Sequence, residues 1–192
     1  MGGLKFVLSG NDKKVILQIK NILTTNGYIY LGYSNQPYNL LRVIRNYLPD
    51  IVVIDIGNRL GEYKPILRII DEDLLCLCIL IIEKKQDDIM EFISSSRTLT
   101  WATKVVYYDN FIQMLEMALL NFRRVVEYEE KLKELNKRLE ERKIIEKAKW
   151  LLVKKQNMSE DVALDYIRKK ARDNRVSMVE IANAIILAYD NI

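Results

Sequence analysis

Four consecutive apolar β-formers, Ile51-Val52-Val53-Ile54, end abruptly in Asp55. A strand that is apolar at every position has to be covered on both faces, and a parallel sheet with helices above and below does this. The neighbouring sequence supports such a sheet. Residues 5–8, 28–32, 51–54, 76–82 and 104–108 read as strands, while 13–25, 36–47, 63–70 and 87–95 carry helical spacing between them. Strand–helix alternation of this kind predicts an α/β domain.

From Asn110 onward no Gly or Pro interrupts the chain. Val125, Tyr128, Leu132, Leu135 and Leu139 recur at spacings of three and four among Lys, Glu and Arg, which is a short heptad seam. Such a polar segment gains little as a lone helix, so the seam predicts a paired coiled coil and a homodimer. Beyond Leu139 a new apolar stripe, Ile145, Ala148 and Leu152, opens a compact unit of three helices. Ser159 is placed to cap the second of these, and Ser177-Met178-Val179-Glu180 has the form of a capping box at the third.

Composition narrows the function classes. The 192 residues include no histidine, which excludes imidazole metal ligands, Ser-His triads and Cys-His dyads, and no enzymatic activity or cofactor is expected. Cys76 and Cys78 alternate along one strand, so a bond between them is not expected. The start, Met1-Gly2-Gly3-Leu4-Lys5, has no signal-peptide pattern, and no apolar run is long enough for a membrane span. A cytoplasmic protein with no membrane partner is expected.

The last fifty or so residues resemble the ANTAR domain, the RNA-binding module of AmiR and NasR type transcription antiterminators. The motifs are Arg142-Lys-Ile-Ile-Glu-Lys-Ala-Lys149 with Leu151-Leu152, then Ser159-Glu-Asp-Val-Ala163 with Tyr166-Ile-Arg168, then Ser177-Met-Val-Glu-Ile-Ala182 with Ile185-Ile186. Trp150 departs from the family, which has glycine there. The resemblance implies binding to hairpins in a nascent leader mRNA. Arg142, Lys143, Lys147, Lys149, Arg168, Lys169 and Arg172 are the candidate phosphate contacts, with Trp150 as a candidate stacking surface. Tyr166 shares a face with Ala163 and Ile167 and reads as core, and the same spacing puts Lys170 on the buried side with its ammonium reaching out to an edge.

The first part, with Asp55 ending strand three, resembles a response-regulator receiver domain, which implies a flavodoxin-like (βα)5 fold. In that family a carboxylate pair after strand one holds Mg2+, the strand-three aspartate accepts phosphate, a hydroxyl ends strand four and a lysine ends strand five. Here Gly10 and Asn11 take the places of the carboxylates, with Asp12 one residue on, Glu83 takes the hydroxyl position, and Asp109 takes the lysine position. Phosphorylation of Asp55 in the usual way is therefore not expected, because nearby carboxylates oppose the added charge.

The combined expectation is a receiver-like pseudo-receiver over 1–121, a coiled-coil linker helix over 122–140 and an all-α ANTAR RNA-binding domain over 141–192. Its function is transcription antitermination as a dimer, within a two-component system or under a regulatory protein partner. The apolar cluster Phe111, Ile112 and Leu115 is read as packing of helix five, with a partner surface as the other reading. The alternative function is a DNA-binding response regulator, although no helix-turn-helix with a clear recognition helix is apparent.

Overall fold

The computed structural model describes residues 3–190, so the first two and last two residues of the expected domain ranges, Met1 and Gly2 of the N-terminal start among them, lie outside the described part. The elements run β1 (Lys5–Ser9), α1 (Lys13–Thr25), β2 (Ile29–Ser34), α2 (Pro37–Tyr47), β3 (Ile51–Asp55) and α3 (Leu60–Glu72). They continue as β4 (Leu77–Ile82), α4 (Asp87–Ser94), β5 (Leu99–Thr103), α5 (Tyr108–Gln156), α6 (Glu160–Asn174) and α7 (Met178–Asp190). Two compact units result, Met1–Glu127 and Tyr128–Ile192.

In the first unit every strand pairing is parallel and the strand order is β2-β1-β3-β4-β5, the flavodoxin-like arrangement. Successive residues of β3 point to opposite faces, as a period of two requires. Val52 and Ile54 join Leu40, Ile44, Leu67 and Ile70 in one core layer, whereas Ile51 and Val53 join Ile19, Leu23 and Leu115 in the other. Burial of each such side chain contributes roughly 1.5–3 kcal/mol before ordering costs are met. Phe111 and Leu115 lie in this core and Ile112 packs against it, while Val105, Tyr107 and Tyr108 before them are exposed.

The fifth strand corrects the sequence reading. Residues 104–108 were expected to form it, on the strength of their β-branched and aromatic content, but β5 is Leu99–Thr103, in register from Cys78↔Leu99 to Ile82↔Thr103. The run after it forms the loop into α5, where Val106 is buried and Val105 and Tyr107 face outward. Intrinsic preference lost to pairing: five residues opposite β4 satisfy its backbone, and the chain then has to turn.

Caps fix the helix starts. Asp12 Oδ1 accepts from Lys14 N and Val15 N at the start of α1, and Pro37 opens α2. In the second unit Ser159 caps α6 through Val162 N. Ser177 and Glu180 form the reciprocal capping box of α7: Ser177 N donates to Glu180 Oε2 at 2.8 Å and Glu180 N to Ser177 Oγ at 3.2 Å. The core of this unit gathers Ala148 and Leu152 of α5, Ala163 and Ile167 of α6, and Ala182 of α7.

Cys76 and Cys78 are free and buried, and burial pushes the Cys76 thiol up to about 12 and Cys78 well above its ordinary value. Among the described residues no helix is long and apolar enough to cross a membrane.

Candidate receiver pocket and nucleic-acid interface

The pocket at the carboxyl ends of the strands is built around Asp55, which is only 5% exposed. Asp55 Oδ2 accepts from Asp12 N at 3.2 Å. Asp55 Oδ1 accepts no hydrogen bond, and Lys104 Nζ lies 3.6 Å from it. The same ammonium lies 3.1 Å from Glu83 Oε1 and 3.6 Å from Asp12 Oδ2, so one cation faces three carboxylates. Burial works against the charge on Lys104, but its hydrogen bond to Glu83 and the charges of Asp55, Glu83 and Asp12 outweigh it and raise its pKa. Hydrogen bonds from Val15 N, against some desolvation, and from Lys14 N, with Lys104 nearby, hold the Asp12 carboxyl below its ordinary value.

This geometry overturns one sequence assignment. Asp109 does not occupy the strand-five position; it is exposed in the first turn of α5. With β5 ending at Thr103, the residue after it is Lys104, whose backbone N–H donates to Ile82 O at 2.9 Å. The lysine thought to be missing is present, and Glu83 is the carboxylate that faces it. The alternation Leu99-Thr-Trp-Ala-Thr103 was the available signal, outweighed by the more β-prone run that follows it.

Gly10 and Asn11 stand at the places of the carboxylate pair, and the backbone at Gly10 is specific. Gly10 adopts φ +139°, and a Cβ added there would lie 2.6 Å from Asp55 Cβ and 2.8 Å from Asp55 O. Only glycine fits. Its neighbour Asn11 is exposed and Asp12 is committed to its helix cap. Among the described residues no group of three or more Asp, Glu, Cys or His side chains is arranged to hold a metal ion. The residues present do not fit the Mg2+ site of the receiver family.

In the second unit Lys143, Lys147, Trp150 and Lys154 follow one another on α5 at i, i+4, i+7 and i+11, which aligns them along one helix face, and all four are exposed. Trp150 is 54% exposed, with Lys154 Nζ 4.5 Å from its ring centroid. Lys143 makes an exposed pair with Glu140, and Arg168 one with Asp165. Arg142, Lys169 and Arg172 are exposed as well.

Lys149 stands apart from this group. Its ammonium sits 2.6 Å from Glu146 Oε2 and 3.0 Å from Glu160 Oε2, and its side chain is 16% exposed, so it ties α5 to the start of α6. Two further expectations are corrected. The buried stripe of α6 runs Ala163, Ile167, Ala171, which leaves Lys170 exposed rather than on the buried side. Tyr166 is 37% exposed rather than core, and Lys170 Nζ lies 5.7 Å from its ring centroid.

Four of the five seam positions on α5 are solvent-facing within one chain, Tyr128 and Leu139 exposed and Leu132 and Leu135 exposed at 53% and 54%, while Val125 is half-buried.

These features define a chain that joins a receiver-fold domain with an altered pocket to a three-helix unit bearing a basic, aromatic stripe. Residues 133–186 match the family model described as ANTAR domain. The transcriptional regulatory protein PdtaR of Mycobacterium tuberculosis is 24% identical over 181 residues, covering 94% of this chain and 88% of that protein. The nitrate regulatory protein of Klebsiella oxytoca is 52% identical over 48 residues, 25% of this chain and 12% of that protein. In fold, the signal receiver domain of a modulated diguanylate cyclase from Desulfovibrio desulfuricans G20 superposes with a TM-score of 0.55 at 17% identity, covering 63% of this chain and 97% of that one. The chain is thus similar to ANTAR-type regulatory proteins over residues 133–186, and its first unit has the receiver fold.

Proposed function

We propose that this protein is a transcription antitermination regulator that binds hairpins in nascent leader mRNA as a homodimer, with a receiver-fold domain that works without phosphorylation of Asp55. Its role is regulatory rather than catalytic. The observation that carries the reading is the stripe Lys143, Lys147, Trp150 and Lys154 on the domain matching ANTAR. Cations supply backbone contacts and an exposed indole supplies a face on which an unpaired base stacks, the combination suited to RNA loops rather than to duplex grooves. Two relatives, named a transcriptional regulatory protein and a nitrate regulatory protein, agree with a regulatory role.

The exposed seam supports the dimer, because two paired chains would offer two RNA-binding units to two hairpins and gain in effective concentration. The pocket supports independence from phosphate at the end of β1, where Gly10 and Asn11 leave the metal ligands of the receiver family without a counterpart.

Gel shifts with tandem leader hairpins and with duplex DNA of equal sequence test the reading across a salt series. The expected result is hairpin binding that weakens steeply with salt, and weakens further when Lys143, Lys147 and Lys154 are all changed to Glu. Equal or tighter binding to the duplex would favour DNA recognition instead.

A further inference from the structure

The ANTAR unit carries a cavity on a different side of α5 from the Trp150 stripe. It has a volume of about 310 Å³ and is floored by Leu152, Ile181 and Ile185. Leu152 lies two residues from Trp150 on α5, so its side chain points to another helix face. Tyr166 lines one wall and Lys170 stands at its rim, the pair of α6 residues that helical spacing alone would have buried. At another edge the Gln156 amide donates to the Tyr189 hydroxyl.

We propose that this cavity is a nucleobase site, receiving one unpaired base flipped out of an RNA loop while Lys170 meets the adjoining phosphate. The inference rests on the RNA-binding reading above and names a contact that reading lacks. Three properties select the occupant. The volume is at the small end of ligand sites, roughly 300–1,000 Å³, which suits a single ring system rather than a helix of a partner protein. The lining combines an aliphatic floor with an aromatic wall, the surroundings that accept a planar base. The charge is complementary: among the described lining residues there is one cation and no carboxylate, as a group tethered to phosphate demands. The Gln156–Tyr189 pair adds direction, since a Gln156 amide N–H given to the Tyr189 oxygen leaves the Gln156 carbonyl oxygen to accept and the Tyr189 hydroxyl to donate. That pair of functions complements the edge of an unpaired base.

The test uses the full chain and stem–loop RNAs selected from a pool with a randomised loop. Each loop base of a selected RNA is replaced in turn by an abasic site, and affinity is measured for the wild type, for Ala184→Phe, which fills the cavity, and for Tyr166→Ala. Melting followed by circular dichroism selects folded variants, and Lys170→Gln, on an exposed position, serves as a third variant that leaves the core untouched. For the wild type, one loop position is expected to lose roughly tenfold or more on becoming abasic. Ala184→Phe and Tyr166→Ala are expected to bind the intact RNA as weakly as the wild type binds that abasic RNA, with no further loss at that position. Lys170→Gln should reduce the salt dependence by about one phosphate contact.

If the variants retain both wild-type affinity and sensitivity to the abasic site, the cavity is not the base site and the proposal falls, while the RNA-binding reading stands. The same holds if the variants change the mass of the protein in solution and leave RNA affinity alone, which would mark the cavity as a protein contact. If the wild type enriches no RNA from the pool, the RNA-binding reading itself fails and takes this proposal with it.

Discussion

Lys104 Nζ sits 3.6 Å from Asp55 Oδ1, the one buried side-chain oxygen that accepts no hydrogen bond among the described residues. The pair makes the receiver pocket electrostatically self-contained, with the protein's own ammonium standing where several carboxylates converge.

Lys104→Met should therefore cost about 2–3 kcal/mol in urea denaturation, because it removes the one ammonium beside the buried Asp55 side chain. A Lys104→Arg variant should recover most of the loss. The raised pKa of Lys104 sets the sign of the pH effect: the stabilisation is fully present below the ordinary value of 10.5 and is lost as pH rises through the higher folded value. Equal stability of wild type and Lys104→Met at neutral pH would refute this account.

Gly10→Asp should fail to rebuild a metal site. Its Cβ would be forced to 2.6 Å from Asp55 Cβ at a backbone angle that side chains rarely adopt. The expected outcome is a destabilised protein, by about 2 kcal/mol or more, whose melting temperature does not respond to Mg2+. A rise in melting temperature with Mg2+ in the variant would show that the backbone gives way.

Incubation with acetyl phosphate is expected to leave Asp55 unlabelled in intact-mass measurements. Labelling that disappears in Asp55→Asn would overturn the phosphate-independent reading of the pocket.

Asp71 organises the loop leading into β5: its Oδ1 accepts from Ser96 Oγ at 2.5 Å, from Arg97 N and Thr98 N at 2.8 Å and from Thr98 Oγ1 at 2.9 Å. Burial would raise its pKa, but these bonds overcome that and hold it below 3.8. The contribution is present above 3.8 and disappears as pH falls through the lower folded value. Asp71→Ala should cost about 2 kcal/mol at neutral pH, with the gap to wild type closing under strong acid in parallel denaturation curves. A gap that stays constant with pH would assign the loss to packing instead.

Leu132→Asp with Leu135→Asp should convert a dimer to a monomer in sedimentation equilibrium while the receiver-fold domain keeps its cooperative melt. Both positions are exposed within one chain, so the substitutions remove a partner rather than a core. Unchanged mass would place the self-contact elsewhere.

The sheet and most helices were legible because burial on two faces leaves an unmistakable trace, as at Ile51-Val52-Val53-Ile54, and because caps such as Ser159 and the Ser177–Glu180 box announce helix starts. The pocket was legible only in part. Gly10 could be matched by its offset from β1, whereas Lys104 was hidden behind a strand boundary misplaced by five residues, Lys104 for Leu99. Local preference favours Val105, Val106, Tyr107 and Tyr108 as strand, and only the register with β4 shows that pairing ends before them. In the C-terminal domain, Lys149 looked like its cationic neighbours in sequence. Its partner Glu160 lies on the next helix, a relation that no spacing within α5 contains.

The two buried cysteines carry a consequence for how the first domain is addressed. With the Cys76 thiol pushed up to about 12 and Cys78 raised well above its ordinary value, burial disfavours the thiolate of both, and peroxides and disulfides react with thiolates. Both sulfurs therefore pack as small apolar groups inside the sheet, where burial keeps them from oxidants in solvent.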